Sequence, residues 1–247
     1  MKRLLIILFL VWSLAAAGQL DGALHDARGA AMGGCWLPSE DSAVSVDIGW
    51  RQGFMLKGMA NRTLALGAPL GGQGRAGLLY SGFGDADYNE QQLAAGYALH
   101  VAPWLKLMVY GLYSHVGTAD AYYETQRWLD AGGAVVAGSG CLWGYLAAGS
   151  RRWDDDRPWG MYGGMSFIHN RQLITALGFS VEERMRMLFG MEYLYAGCVA
   201  VRAGLCSNPL TLTFGVGYRQ RNFHVDLTTE AHSVLGLSPQ ITLGLCL

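Results

Sequence analysis

The chain has 247 residues, is 51% hydrophobic and only 15% charged, and carries a formal net charge of −1 at pH 7. So little charge is too thin a coat for the outer face of a water-soluble sheet, and the near-neutral balance leaves no basic footprint for nucleic acid. Mean hydropathy is nevertheless positive, at +0.19, and beyond the N-terminus no stretch approaches the roughly 18 apolar residues of a helical span.

The N-terminus reads as an export signal. Lys2-Arg3 is a basic start, Leu4 to Leu14 is an apolar run, and Ala15-Ala16-Ala17 supplies small residues for cleavage. Residues 1–18 are therefore expected to be a signal peptide, too short in its apolar core to be a transmembrane helix. No cysteine follows the small residues directly, so no lipid anchor is expected. Residues 19–42 show neither helical nor strand period and read as an N-terminal arm or lumenal plug.

From residue 43 to 247 the chain reads as strands. The segments are 43–53, 58–68, 75–83, 90–100, 104–115, 126–137, 141–150, 159–168, 172–181, 184–194, 198–206, 210–219, 222–230 and 237–247. Most match the length of about 9–11 residues that crosses a bilayer at a tilt. All six prolines fall at strand boundaries or in loops, as residues without an amide donor should. The alternation is clearest near the C-terminus. Met185, Met187, Phe189, Met191 and Tyr193 alternate with Arg186, Leu188, Gly190 and Glu192; Leu212, Phe214, Val216 and Tyr218 alternate with Thr213, Gly215, Gly217 and Arg219. Side chains of a strand point alternately to opposite faces. A soluble sandwich or lipocalin-like barrel would turn the apolar face inward, but the other face here is glycine, threonine, alanine and a few arginines. The pattern predicts an all-β, antiparallel transmembrane barrel of about 14 strands. Phe189, Met191, Phe214, Val216 and Leu243 should face lipid, and Arg186, Glu192, Thr213, Arg219 and Asp226 the lumen.

With both termini in the periplasm, Gly71 to Gly74, Val101 to Pro103 and Ala196-Gly197 fit short periplasmic turns, and 84–89, 116–125 and 151–158 fit outer loops. Asp154-Asp155-Asp156 invites a calcium hypothesis, but flanking Arg151, Arg152 and Arg157 make a solvated, charge-balanced loop the simpler reading. Trp104, Trp128, Trp143, Trp153 and Trp159 lie near strand ends, where aromatic girdles belong. The five cysteines form neither a CxxC nor a Cys/His cluster, so no metal or other cofactor is expected, and they read as small apolar fillers.

Several segments together resemble the FadL-like barrels of Bacteroidetes, especially the PorV/PorQ group linked to type IX secretion. Asp26-Ala27-Arg28-Gly29-Ala30-Ala31-Met32-Gly33-Gly34 is similar to that group's lead-in, and it is followed by Leu64 to Pro69, Gly77 to Gly82 and Asn89-Glu90. Gly190 to Tyr193, Val201 to Gly204, Gly215 to Tyr218 and His232 to Pro239 continue the likeness in order. The resemblance implies a 14-stranded barrel with N-terminal residues in the lumen, and it makes Arg28, Met32, Gly33 and Gly34 plug residues. Leu37-Pro38-Ser39-Glu40-Asp41 stands where the family carries Asn-Pro-Ala, implying a short or altered hatch.

The chemistry expected in the lumen is Arg184, Arg186, Glu192, Arg202, Arg219, His224 and Asp226. Adjacent strands suggest pairing of Glu192 with Arg202, and of Arg219 with His224 or Asp226. Buried charges must pair or be wet, so a structural salt-bridge network is the first reading and a selectivity lining the second. An enzyme barrel would need a His with Asp, Ser or Glu at one rim. His100 and His115 belong to opposite ends, Ser114 and His115 project oppositely, and no nucleophile joins His224 and Asp226. Lipid- or peptide-modifying catalysis is therefore the minor alternative, and the chain is not expected to be an enzyme. The leading expectation is a Gram-negative outer-membrane barrel, in contact with membrane lipids and lipopolysaccharide, that binds or passes a small hydrophobic molecule. Glycine-rich 126–137 and 159–168 are the candidates for a lateral opening. The alternative is a non-transporting component that docks secretion-system proteins.

Overall fold

A computed structural model describes residues 26–35, 44–119, 125–150, 159–170, 172–181 and 184–247. The expected signal peptide and the Asp154–Asp156 loop lie outside these residues, as do Leu37 to Asp41. Among the described residues a short helix, α1 (Ala27–Ala31), precedes fourteen strands. These are β1 (Ser45–Gln52), β2 (Ala60–Pro69), β3 (Gly74–Gly84), β4 (Tyr88–Ala102), β5 (Leu105–Thr118), β6 (Gln126–Ser139) and β7 (Leu142–Ser150). They continue as β8 (Trp159–Ile168), β9 (Leu173–Val181), β10 (Met185–Tyr195), β11 (Val199–Cys206), β12 (Thr211–Gln220), β13 (Phe223–His232) and β14 (Gly236–Cys246).

Each strand pairs antiparallel with its sequence neighbours, and β14 returns to β1 with Ser45 opposite Cys246 and Arg51 opposite Gln240. The sheet is therefore closed and has no free edge, the condition for backbone polar groups to be satisfied in lipid. One end of the barrel carries tight connections such as Pro103–Trp104, Gly140–Cys141, Ala196–Cys198 and Arg221–Asn222, together with the start of β1 and the end of β14. We call it the turn end. The opposite, loop end carries the longer connections after β1, β5 and β7. After β1 the chain makes a 3₁₀ turn, Gly53–Met55, that folds back onto β14: the Phe54 amide donates to Ser238 Oγ at 2.8 Å, and the Phe54 ring meets His232 edge-on.

Facing follows the alternation. Phe189, Met191, Phe214, Val216 and Leu243 are all exposed on the outside, whereas Glu192, Thr213 and Asp226 are buried within. Arg186 faces inward opposite Ser180 and is half-buried. The exposed band is Leu, Val, Phe, Met and Tyr around the barrel, the surface of a transmembrane β-barrel. A lipid-facing charge near mid-strand should then be costly. Val216→Arg is expected to lower the stability of the barrel folded into lipid vesicles by about 2–4 kcal/mol, read by urea titration; a change below about 0.5 kcal/mol would contradict the facing.

One expectation is corrected by register. Trp128 lies opposite Ser114, and Trp143 opposite Ser166. Both serines are 1% exposed and inward-facing, so these two tryptophans line the lumen instead of forming a girdle. Trp104 sits in a turn and is exposed, while Trp153 and the side chain of Trp159 lie outside the described residues. Of the two glycine-rich candidates for a lateral opening, β8 is laddered on both sides, whereas β6 meets β7 over only part of its length. β6 pairs with β7 from Gly132 to Ser139, β7 with β8 from Leu142 to Ser150, and β8 with β9 from Met161 to Ile168. Among the described residues Gln126 to Ala131 have no ladder partner on β7, and Ser150 Oγ caps the Ala131 backbone where the ladder stops.

Candidate functional site

The segment Asp26–Cys35 lies inside the barrel. Asp26 caps α1 by accepting from the Gly29 amide. At the other end Gly33 and Gly34 adopt φ of +69° and +86°. Their amides donate back to Ala30 O and Gly29 O at 3.1 and 3.0 Å, the two bonds of a Schellman stop. A five-residue helix is marginal alone, so its stability comes from the wall. Ala27, Gly29, Ala30 and Ala31 are all buried, and their small size lets the helix backbone approach the strands.

Three threonines hold that backbone. The Ala27 amide donates to Thr242 Oγ1 at 2.9 Å, and Thr228 Oγ1 donates to Ala27 O. Thr213 Oγ1 donates to Ala31 O at 2.9 Å and accepts from the Gly33 amide at 3.1 Å. Beneath the helix the inward positions are glycine. A Cβ on Gly190 would stand 2.5 Å from Met32 O, one on Gly204 would stand 2.2 Å from Gly33 N, and one on Gly215 would stand 2.5 Å from Ala31 Cβ. Gly190 and Gly204 are directly opposite in register. The inner-face glycines of β10, β11 and β12 are thus a cradle fitted to α1 and the two glycines that follow it.

The charged groups complete the seat. Arg28 spans Glu192 with two bonds, Nη2 to Oε1 at 2.7 Å and Nε to Oε2 at 2.9 Å. Arg202 Nε also donates to Glu192 Oε2 at 2.6 Å, and Arg202 Nη1 to Asp226 Oδ1 at 2.5 Å. The result is an alternating row, Arg28–Glu192–Arg202–Asp226, formally neutral and largely removed from water. Arg202 reaches Asp226 across β12 because Gly217 lies between: a Cβ there would meet Asp226 Oδ1 at 2.2 Å and the Arg202 guanidinium at 2.7 Å.

The structure therefore brings together Glu192, Arg202 and Asp226, and adds Arg28 from α1. Met32 is fully buried against Ala176 and Leu188. The expected pairing of Arg219 with His224 or Asp226 is corrected. Arg219 is opposite His224 in register but is exposed near the turn end; Asp226 goes to Arg202, and His224 Nε2 lies 3.1 Å from Asp47 Oδ1. Arg184 is exposed at the loop end, before β10. Sequence reasoning missed Asp47 and the Arg51–Glu230 pair, at 2.6 Å, because both involve β1, which becomes a neighbour of β14 only on closure. It also missed the threonine anchors. The inward glycines at one level of β10, β11 and β12 were the available signal.

Ser114 is buried inside and adjacent His115 falls on the opposite face, so these two do not meet as nucleophile and base. Among the described residues no three His, Cys, Asp or Glu side chains gather as metal ligands.

No protein-family profile and no curated protein sequence matches the chain. Among solved structures the barrel is similar to two engineered variants of the porin of Rh. blastica. One aligns with a TM-score of 0.52 and 7% identity, covering 83% of this chain and 99% of that chain. The other aligns with a TM-score of 0.51 and 8% identity over the same shares. At such identities the likeness is one of fold.

Proposed function

We propose that this chain is an outer-membrane barrel that binds or passes a small hydrophobic molecule, with the segment Asp26–Cys35 controlling access through the lumen. The observation that carries this reading is the latched plug: Arg28, the one charged side chain of α1, is held by two bonds to Glu192 on the wall. A segment anchored by side chains rather than by strand pairing can leave without breaking the sheet. Away from the plug, Tyr110 and Ala134 pack with Ala147, flanked by Met108 and Tyr162, an apolar lining that suits a hydrophobic passenger. The FadL-like resemblance of the lead-in points the same way, since Asp26–Gly34 is the plug itself.

Uptake of labelled fatty acids and small aromatics into proteoliposomes tests the reading. With a thiol reductant present in both samples, Arg28→Ala is expected to raise uptake severalfold over the native chain. Equal, background-level uptake by both proteins would reject it.

A second reading rests on the same segment. Its likeness to the PorV/PorQ lead-in supports a non-transporting component of type IX secretion in a Gram-negative member of the Bacteroidetes, with secretion-system proteins as partners. Crosslinking and pull-down from native membranes separates the two: recovery of the barrel alone, with normal secretion in a deletion strain, rejects docking.

A further inference from the structure

The plug's C-terminal edge holds two thiols that the reading above does not use. Cys35 is 1% exposed, unpaired, and packed with Met32, Ala176 and Leu188. Cys206, also unpaired, ends β11 in register with Leu188 and borders the same cluster. The backbones are pressed together at this point. A Cβ on Gly33, two residues before Cys35, would stand 2.8 Å from both N and O of Leu205, the residue before Cys206. The two cysteine-bearing segments therefore lie side by side, although they are far apart in sequence and belong to different elements. Cys206 is only half-buried, at the loop end of its strand, so it is the thiol that a small reagent meets first.

We propose that Cys35 and Cys206 are a modification site: they form a disulfide that ties the plug to the β11 wall in the exported protein. Exported proteins meet an oxidising compartment, and the step is thiol–disulfide exchange. The Cys206 thiolate attacks a small-molecule disulfide such as oxidised glutathione and releases one reduced thiol. The Cys35 thiolate then attacks the Cys206 sulfur of the mixed disulfide and releases the second. The protein thiols give up two protons and two electrons, and the small disulfide takes them up as two thiols. The plug is then held at one edge by Arg28 and at the other by a covalent bond, so that reduction would be required before it could leave. This consequence rests on the plug reading of the previous section; the bond itself does not.

The test uses the full exported chain. Free thiols are alkylated in native membranes before extraction, the protein is digested without reductant, and the peptides are identified by mass spectrometry. A parallel sample is treated with oxidised glutathione after reconstitution into lipid vesicles. The expected result is a linked Cys35–Cys206 peptide pair that dithiothreitol separates and that is missing from Cys35→Ser and Cys206→Ser. Both single variants should keep the heat-modifiable mobility of a folded barrel. Solute flux through the linked protein should rise severalfold on reduction. Recovery of both cysteines unlinked from folded, glutathione-treated protein overturns the proposal. A linked pair with flux unchanged by reduction supports the bond and counts against the plug as a gate.

Discussion

Replacing Glu192 by Gln is expected to cost the folded barrel about 3–5 kcal/mol, the range for removing one partner of a buried ion pair. Glu192 is bonded to both Arg28 and Arg202, and Arg202 is 4% exposed along its side chain. Native charges in the row cancel: two arginines against Glu192 and Asp226. The amide leaves the Arg28 and Arg202 guanidiniums, largely withdrawn from solvent, with Asp226 and the nearby Asp26 as the remaining counter-charges and with Arg28 stripped of its bonded carboxylate. Urea titration of protein folded into lipid vesicles measures the loss. Arg28→Met in the same background should recover part of it, because the plug can then sit without bringing in a second cation. A loss below about 1 kcal/mol would place the row at the level of an exposed pair, wet in its lumen and incapable of latching the plug.

The second large effect is expected at Gly204, where Val should evict the plug while leaving the sheet intact. The Cβ at this position meets Gly33 N at 2.2 Å and Met32 C at 2.5 Å. Both are backbone atoms, so no side-chain rotation relieves the clash. The strand itself tolerates a β-branched residue well. The variant should therefore keep heat-modifiable mobility and the β circular-dichroism signal. Under reducing conditions protease should cut near Arg28, and solute flux should rise at least severalfold. Gly72→Ala, in a turn where an added Cβ meets nothing within 4 Å and φ is not positive, is the control and should behave as the native chain. A Gly204→Val protein with a protected plug would mean that the wall deforms instead, and the cradle would not be the element that seats the helix.

The strands were legible because lipid imposes a period of two on nearly every one of them. Met185 to Tyr195 and Thr211 to Gln220 match their predicted segments to within a residue at each end, and glycines and prolines mark most of the remaining boundaries. The adjacency of Glu192 and Arg202 was equally legible, since consecutive antiparallel strands place them opposite one another. What the pattern concealed was reach. Arg202 to Asp226 skips β12 over Gly217, and His224 to Asp47 skips β14 over Gly244, where a Cβ would strike both partners. Pairing strictly between neighbours therefore assigned Asp226 and His224 to Arg219. Glycine on the inner face was read as a neutral lumen residue, when at these positions it opens a lane for a long side chain. The helix was hidden for a related reason. Five residues carry too little period to register, and the glycines that receive it lie more than 150 residues further along the chain.

The same strand-skipping contacts bear on how the barrel shuts. Two of them, His224 with Asp47 and Arg51 with Glu230, run from β13 to β1 across β14, one toward each end of the seam. Neither contact can be made until the last strand has been laid against the first, and the bonded Arg51–Glu230 pair acts as a clasp that fastens only when the cylinder is complete. A chain arrested with β14 unseated would lack both, leaving Arg51 and Glu230 without each other. The join between first and last strands, where a cylinder would be expected to come apart most easily, is thus stitched across by side chains as well as by its ladder. Any route out through the side of this barrel would have to be sought elsewhere.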